Sequence, residues 1–167
     1  AREFRPRLVS LGDGRLAAEL EKRIKGMGIE VYSGEEGLKA AASVTGADTV
    51  VSSVVGIAGL MPTMEAIRHG RNVALANKET LVTAGPIVMS EAARHGAKIF
   101  PVDSEHSAIY QSLAGNRKQD VERLIITASG GPFRGKKQSD LEKADASQAL
   151  KHPNWKMGSK ITIDSAT

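Results

Sequence analysis

Short apolar runs rich in β-branched residues alternate with longer stretches of helical spacing through the first part of the chain. This order dictates a parallel sheet, because neighbouring parallel strands must be joined by a crossover segment. Four runs qualify as strands, at residues 7–11, 49–55, 72–76 and 98–102, each bounded by turn residues. Between them, residues 15–27 place Leu16, Leu20, Ile24 and Met27 on one helical face, with Gly26 and Gly28 as stop signals. Residues 62–68 and 86–95 predict two short crossover helices, each with proline in its first turn and glycine just past its end, at Gly70 and Gly96.

The alternation fades near Asp103. A helix is expected at 104–113, a polar turn at 115–118 and a strand at 123–128, followed by a glycine- and lysine-rich surface segment at 130–145. A last strand is expected at 160–164, after which the chain reads as cut. No G-x-G-x-x-G turn occurs, so the first βα unit of a dinucleotide fold is expected to be missing. The reading is α/β: residues 1–103 as the remainder of a Rossmann-like parallel sheet, and 104–167 as the start of an α+β catalytic domain.

The absence of cysteine excludes disulfides, thiolate metal sites and thiol nucleophiles. Lysine and arginine number 23 against 19 acids, a mild excess that suits phosphorylated small molecules. The basic residues are scattered without interleaved aromatics, which argues against nucleic acid as a partner. No run approaches the ~20 apolar residues that span a bilayer, and the opening residues lack a signal-peptide core. A cytoplasmic protein with no membrane partner is expected.

Four segments carry candidate chemistry. Asn77, Lys78 and Glu79 follow a strand, where ligands of open α/β sheets bind. The lysine offers a point charge and the amide can donate to and accept from a nicotinamide or ribose, although a solvated turn before a helix would use the same residues. Asp103, Ser104 and Glu105 follow another strand and place two carboxylates two residues apart. Mg²⁺ asks for little more, yet Asp103 or Ser104 would equally cap the next helix. Ser129, Gly130 and Gly131 would cradle a phosphate or simply turn the chain. His152, Trp155, Met157 and Gly158 bring the chain's only tryptophan into a loop, as a water-excluding lid or as a buried anchor.

In this order, the segments at 76–79, 101–106, 129–134, 152–158 and 160–167 closely resemble the 1-deoxy-D-xylulose 5-phosphate reductoisomerase family, and residues 55–63 resemble its glycine-containing strand end beside the cofactor. The resemblance covers nearly the whole chain. It implies an enzyme that rearranges a ketose phosphate and reduces the product with NADPH to 2-C-methyl-D-erythritol 4-phosphate, for isoprenoid synthesis. It further implies Asp103 and Glu105 as ligands of Mg²⁺ or Mn²⁺, and Lys78, Ser104 and Glu105 as contacts to the substrate, with Lys78, Asp103, Glu105 and His152 the catalytic set. Ser129, His152 and Ser165 would hold the phosphate, with Asn77, Glu79 and Gly158 along NADPH and Trp155 and Met157 in the lid. A homodimer is implied as well.

The family carries an asparagine, a lysine and a third metal carboxylate beyond the segment ending at Thr167, so the chain by itself is expected to be inactive and to bind NADPH weakly. Two other readings start from the same residues. One is a dehydrogenase of the homoserine or semialdehyde type, in which a strand also ends in Ala-Asn-Lys; the other is a non-catalytic anion-binding or self-pairing module.

Overall fold

The Asp13 carboxylate closes the first strand and opens the first helix. It accepts hydrogen bonds from the backbone N–H groups of Arg15 (2.7 Å) and Leu16 (3.2 Å), satisfying donors that a helix start leaves orphaned. In this computed structural model, which describes residues 1–127 and 130–164, β1 is Leu8–Leu11 and α1 is Gly14–Arg23. Next come β2 (Glu30–Ser33) and α2 (Gly34–Ser43), two elements absent from the expectations above. β2 is a short, largely exposed strand, and α2 carries glycine at its first and fourth positions, so neither shows a strong pattern. What holds α2 in place is close approach: a Cβ at Gly37 would lie 3.1 Å from the Cβ atoms of Ser10 and Tyr32 and would overlap the Ser10 hydroxyl.

The next elements are β3 (Thr49–Ser52), a 3₁₀ turn (Gly56–Gly59), α3 (Leu60–Arg68), β4 (Asn72–Leu75), α4 (Glu79–His95), β5 (Ile99–Pro101) and α5 (Ser104–Leu113). The strands are shorter than predicted. α4 is longer, because the helix begins at Glu79 rather than Pro86. Pro86 disrupts the turn before it, and Ala84 takes φ −138° and ψ 26°, so one kinked helix reads in sequence as a turn followed by a short helix.

The strands form two parallel sheets. β1 pairs with β2, Leu8 opposite Glu30 and Leu11 opposite Ser33. The other sheet has the order β3-β4-β5, with Val50 opposite Val73 and Leu75 opposite Pro101. Its core is aliphatic: Met64, Ala66 and Ile67 of α3, Val73 and Leu75 of β4, and Val88 and Ala92 of α4. Ile67, Val73 and Val88 are fully buried, each worth about 1.5–3 kcal/mol of apolar transfer. On β5, the ring of Phe100 meets Tyr110 of α5 edge to face at 6.3 Å.

The chain condenses into two compact units, Ala1–Lys118 and Gln119–Thr167. Among its described residues the second carries the short α-helices α6 (Gln138–Leu141), α7 (Ala146–Ala149) and α8 (Ser159–Asp164). Two expectations are corrected here. Residues 123–127 form no strand, and Leu124, Ile125 and Ile126 are exposed; β-branched sequence becomes a strand only against a pairing and packing surface. Residues 160–164 are helical rather than extended, with the N–H and hydroxyl of Thr162 both donating to the Gly158 carbonyl, at 3.0 and 2.9 Å. Among the described residues no helix is long and apolar enough to cross a membrane.

Candidate active site

Because β3, β4 and β5 are parallel and adjacent, the segments that leave them emerge side by side at their carboxyl edge, where open sheets bind ligands. The backbone carries β4–β5 pairing one residue further, with Val102 N–H donating to Leu75 O at 2.9 Å. Lys78 after β4 and Asp103 after β5 are thereby brought together, Nζ to Oδ2 at 3.1 Å. The other Asp103 oxygen faces His106 Nδ1 at 3.1 Å.

Asp103 stands at the N-cap position of α5, yet its side chain makes no capping bond; its backbone carbonyl accepts the Ser107 N–H at 2.8 Å instead. The capping alternative for Asp103 therefore fails, and the carboxylate is turned toward charged partners. Its side chain is only 16% exposed, and that burial would raise its pKa. The hydrogen bonds from His106 and Lys78 outweigh burial and hold the carboxyl below its usual range, so it stays ionised. Ser104 Oγ donates to Glu105 Oε2 at 2.6 Å, leaving Glu105 exposed beside Asp103. Among the described residues no group of three carboxylate or imidazole side chains is assembled for a metal. Two hard carboxylates still fit Mg²⁺ or Mn²⁺, which retain water and substrate oxygens for their remaining positions. His106 was not among the predicted residues; its place three positions after Asp103 at a helix start is the signal that would have found it.

Asn77 is 3% exposed and its amide is fully engaged within the protein. Nδ2 donates to the carbonyls of Val54 and Gly56, and Oδ1 accepts from Thr80 N–H (3.0 Å) and Thr80 Oγ1 (2.8 Å). The amide offered to a nicotinamide or ribose in the sequence reading thus has no free donor or acceptor capacity. Glu79, two residues on, begins α4, where a carboxylate complements the helix dipole.

In the second unit, His152 Nδ1 accepts the N–H groups of Asn154 (3.2 Å) and Trp155 (3.0 Å), which places the proton of the neutral ring on Nε2. Nε2 is buried and has no partner among the described residues, a donor set up for an anionic oxygen. Trp155 is 61% exposed, so it does not anchor the loop by burial; Met157 is half-buried and Gly158 exposed. Ser129 and Ser165 lie outside the described residues. In the turn between β1 and α1, Asp13 already fills the helix N-terminus with its own negative charge.

Residues 1–85 match the family described as 1-deoxy-D-xylulose 5-phosphate reductoisomerase, and residues 99–167 match its C-terminal domain. The reductoisomerase of Ruminiclostridium cellulolyticum is 61% identical over 99% of this chain and 43% of its own length. That of Acetivibrio thermocellus is 62% identical over all of this chain and 44% of its own. Among solved structures, a DOX-P reductoisomerase in complex with NADPH, fosmidomycin and magnesium superposes with a TM-score of 0.83 at 40% identity, over 99% of this chain and 43% of that one. The Zymomonas mobilis reductoisomerase in complex with NADPH gives the same score and identity over 96% and 41%. The chain thus spans less than half the length of the relatives it matches, with mixed α/β structure and parallel sheets in common. Two family matches that together take in most of its residues place this chain in the 1-deoxy-D-xylulose 5-phosphate reductoisomerase family.

Proposed function

We propose that the full-length protein containing this chain rearranges 1-deoxy-D-xylulose 5-phosphate and reduces the product with NADPH to 2-C-methyl-D-erythritol 4-phosphate, in isoprenoid synthesis. The observation that carries this reading is Asp103: an ionised, mostly buried carboxylate at a strand edge that declines the helix cap beside it. A divalent ion held by Asp103 and Glu105 would supply Lewis acidity and a template for two substrate oxygens. Lys78, now the counter-cation of Asp103, is within reach of the same place and would hold the sugar together with Ser104. The proton on the buried His152 Nε2 suits the substrate phosphate, with Ser129 and Ser165 as further contacts to it. Glu79 and Gly158 would lie along NADPH, and the exposed Trp155 with Met157 would close over the substrate and exclude water. The working division falls near Asp103, residues 1–103 forming the remainder of the cofactor domain, with Lys78 and Asp103 at its strand edge, and 104–167 the start of the catalytic domain. A cytoplasmic homodimer completes the reading.

Asp103→Asn and Glu105→Gln in the full-length protein test it. Neutral amides keep shape but remove the charge a hard cation requires. Both variants should lose turnover while keeping their melting temperature and NADPH affinity; near-normal turnover in both would refute the metal assignment.

A further inference from the structure

A seam of buried polar groups runs beneath the carboxyl edge of the β3-β4-β5 sheet. Ser52, Thr63, Asn77 and Thr80 are each at most 5% exposed. Ser52 Oγ and Thr63 Oγ1 are bonded at 2.8 Å, joining the end of β3 to α3. The Ser52 carbonyl accepts the N–H groups of Ala76 (2.9 Å) and Asn77 (3.1 Å), joining β3 to the end of β4. Asn77 then reaches both ways, to the Val54 and Gly56 carbonyls in the segment after β3 and to Thr80 in the first turn of α4. The neighbouring residue is Lys78, whose ammonium reaches Asp103. One more feature fits this arrangement. Gly59 has an ordinary helical backbone, φ −75° and ψ −15°, so nothing in its conformation calls for glycine. A Cβ there, however, would stand 2.9 Å from Cγ and Nδ2 of Asn77.

We propose that Asn77 is a positioning residue: its amide clamps the segment after β3 to the start of α4 and so sets Lys78 in reach of Asp103, while Gly59 is glycine to leave room for that amide. This deepens the functional reading above and rests on it. It also gives Asn77 a role distinct from a side-chain contact to the cofactor. Buried, fully bonded amides fix geometry, and a shift of about 1 Å in a reacting group costs about 10²-fold in rate.

The test uses the full-length protein with Asn77→Ala, Gly59→Ala and the double variant, assayed with NADPH and the ketose phosphate. Each single change should lower kcat by more than about tenfold and leave KM for NADPH within about threefold. The Thr80 amide should exchange faster in both. On the Asn77→Ala background, Gly59→Ala should cost no more than about twofold, because the group it displaces is gone. A raised KM for NADPH at unchanged kcat, or an equal Gly59→Ala cost with and without Asn77, would overturn the proposal. Should Asn77→Ala not fold, Gly59→Ala carries the same kcat-against-KM test alone. A wild-type protein without turnover would remove the functional reading instead; the clamp would then be judged by the melting-temperature cycle, non-additive changes supporting it and additive ones sinking it.

Discussion

The two compact units make different use of similar sequence. In Ala1–Lys118, short apolar runs such as Val73–Leu75 become buried strands because a neighbour lies on each side and α3 and α4 cover a face. In Gln119–Thr167, the equally apolar run at 124–126 remains exposed and without a strand partner among the described residues, and short helices held by local hydrogen bonds dominate. Strand propensity is a statement about fitting a packed, paired surface; where that surface is absent, local bonding decides. The chemistry is divided in the same way. Lys78 and Asp103 are fixed by sheet register, whereas His152 is oriented by two N–H groups of its own loop.

Truncating the two kinds of apolar residue should expose this difference most strongly. Ile67→Ala, in the core between α3 and the sheet, should destabilise the first unit by about 2–5 kcal/mol in chemical denaturation. If it were nearly neutral, the sheet unit would not be the rigid half. Gly37→Ala is the next largest. The new methyl would press on Ser10 and Tyr32 and should cost about 1–3 kcal/mol, and no loss would mean that α2 does not lie as closely on β1 as described. A local effect is expected at α7. Its Asp145 and Gln148 cap each other, and the Gln148 N–H holds the Asp145 carboxyl below its usual range. A depressed folded-state pKa gives stabilisation that is complete above the unfolded value and is lost as pH falls through the folded one. Exchange of the Gln148 amide should therefore accelerate, relative to intrinsic rates, only at acid pH, and Asp145→Ala should remove that dependence. Smallest of all, Ile126→Ala should stay within about 0.5 kcal/mol; a large cost would reveal a packing partner for that run.

How legible these features are in the sequence follows the same division. Strands β1, β3, β4 and β5 and helices α1, α3 and α5 could be read because pattern, turn residues and packing agree. β2 and α2 could not: Glu30–Ser33 is a short, exposed edge and Gly37 is explained only by what lies against it. The first half of α4 was hidden by the Pro86 kink. At 160–164 the alternation of isoleucine with polar residues suggested a strand, and the helix there shows that five residues of period two do not outvote a turn whose carbonyl at Gly158 is already accepting from Thr162. Around the candidate site, the Asp103–Glu105 pair was readable as residues, but not the partners of Asp103. Its choice between cap and counter-ion depends on where β4 delivers Lys78. Likewise Asn77 is polar in sequence and saturated in space.

The central claim is that sheet register makes Asp103 a cation-facing carboxylate and not a helix cap, and Mn²⁺ binding measures this without turnover. In the full-length protein, titration with Mn²⁺ followed by electron paramagnetic resonance should show a bound ion whose affinity falls by more than about tenfold in Asp103→Asn, with the melting temperature unchanged. Asn caps a helix as well as Asp does, so equal Mn²⁺ affinity in wild type and Asp103→Asn would contradict the claim.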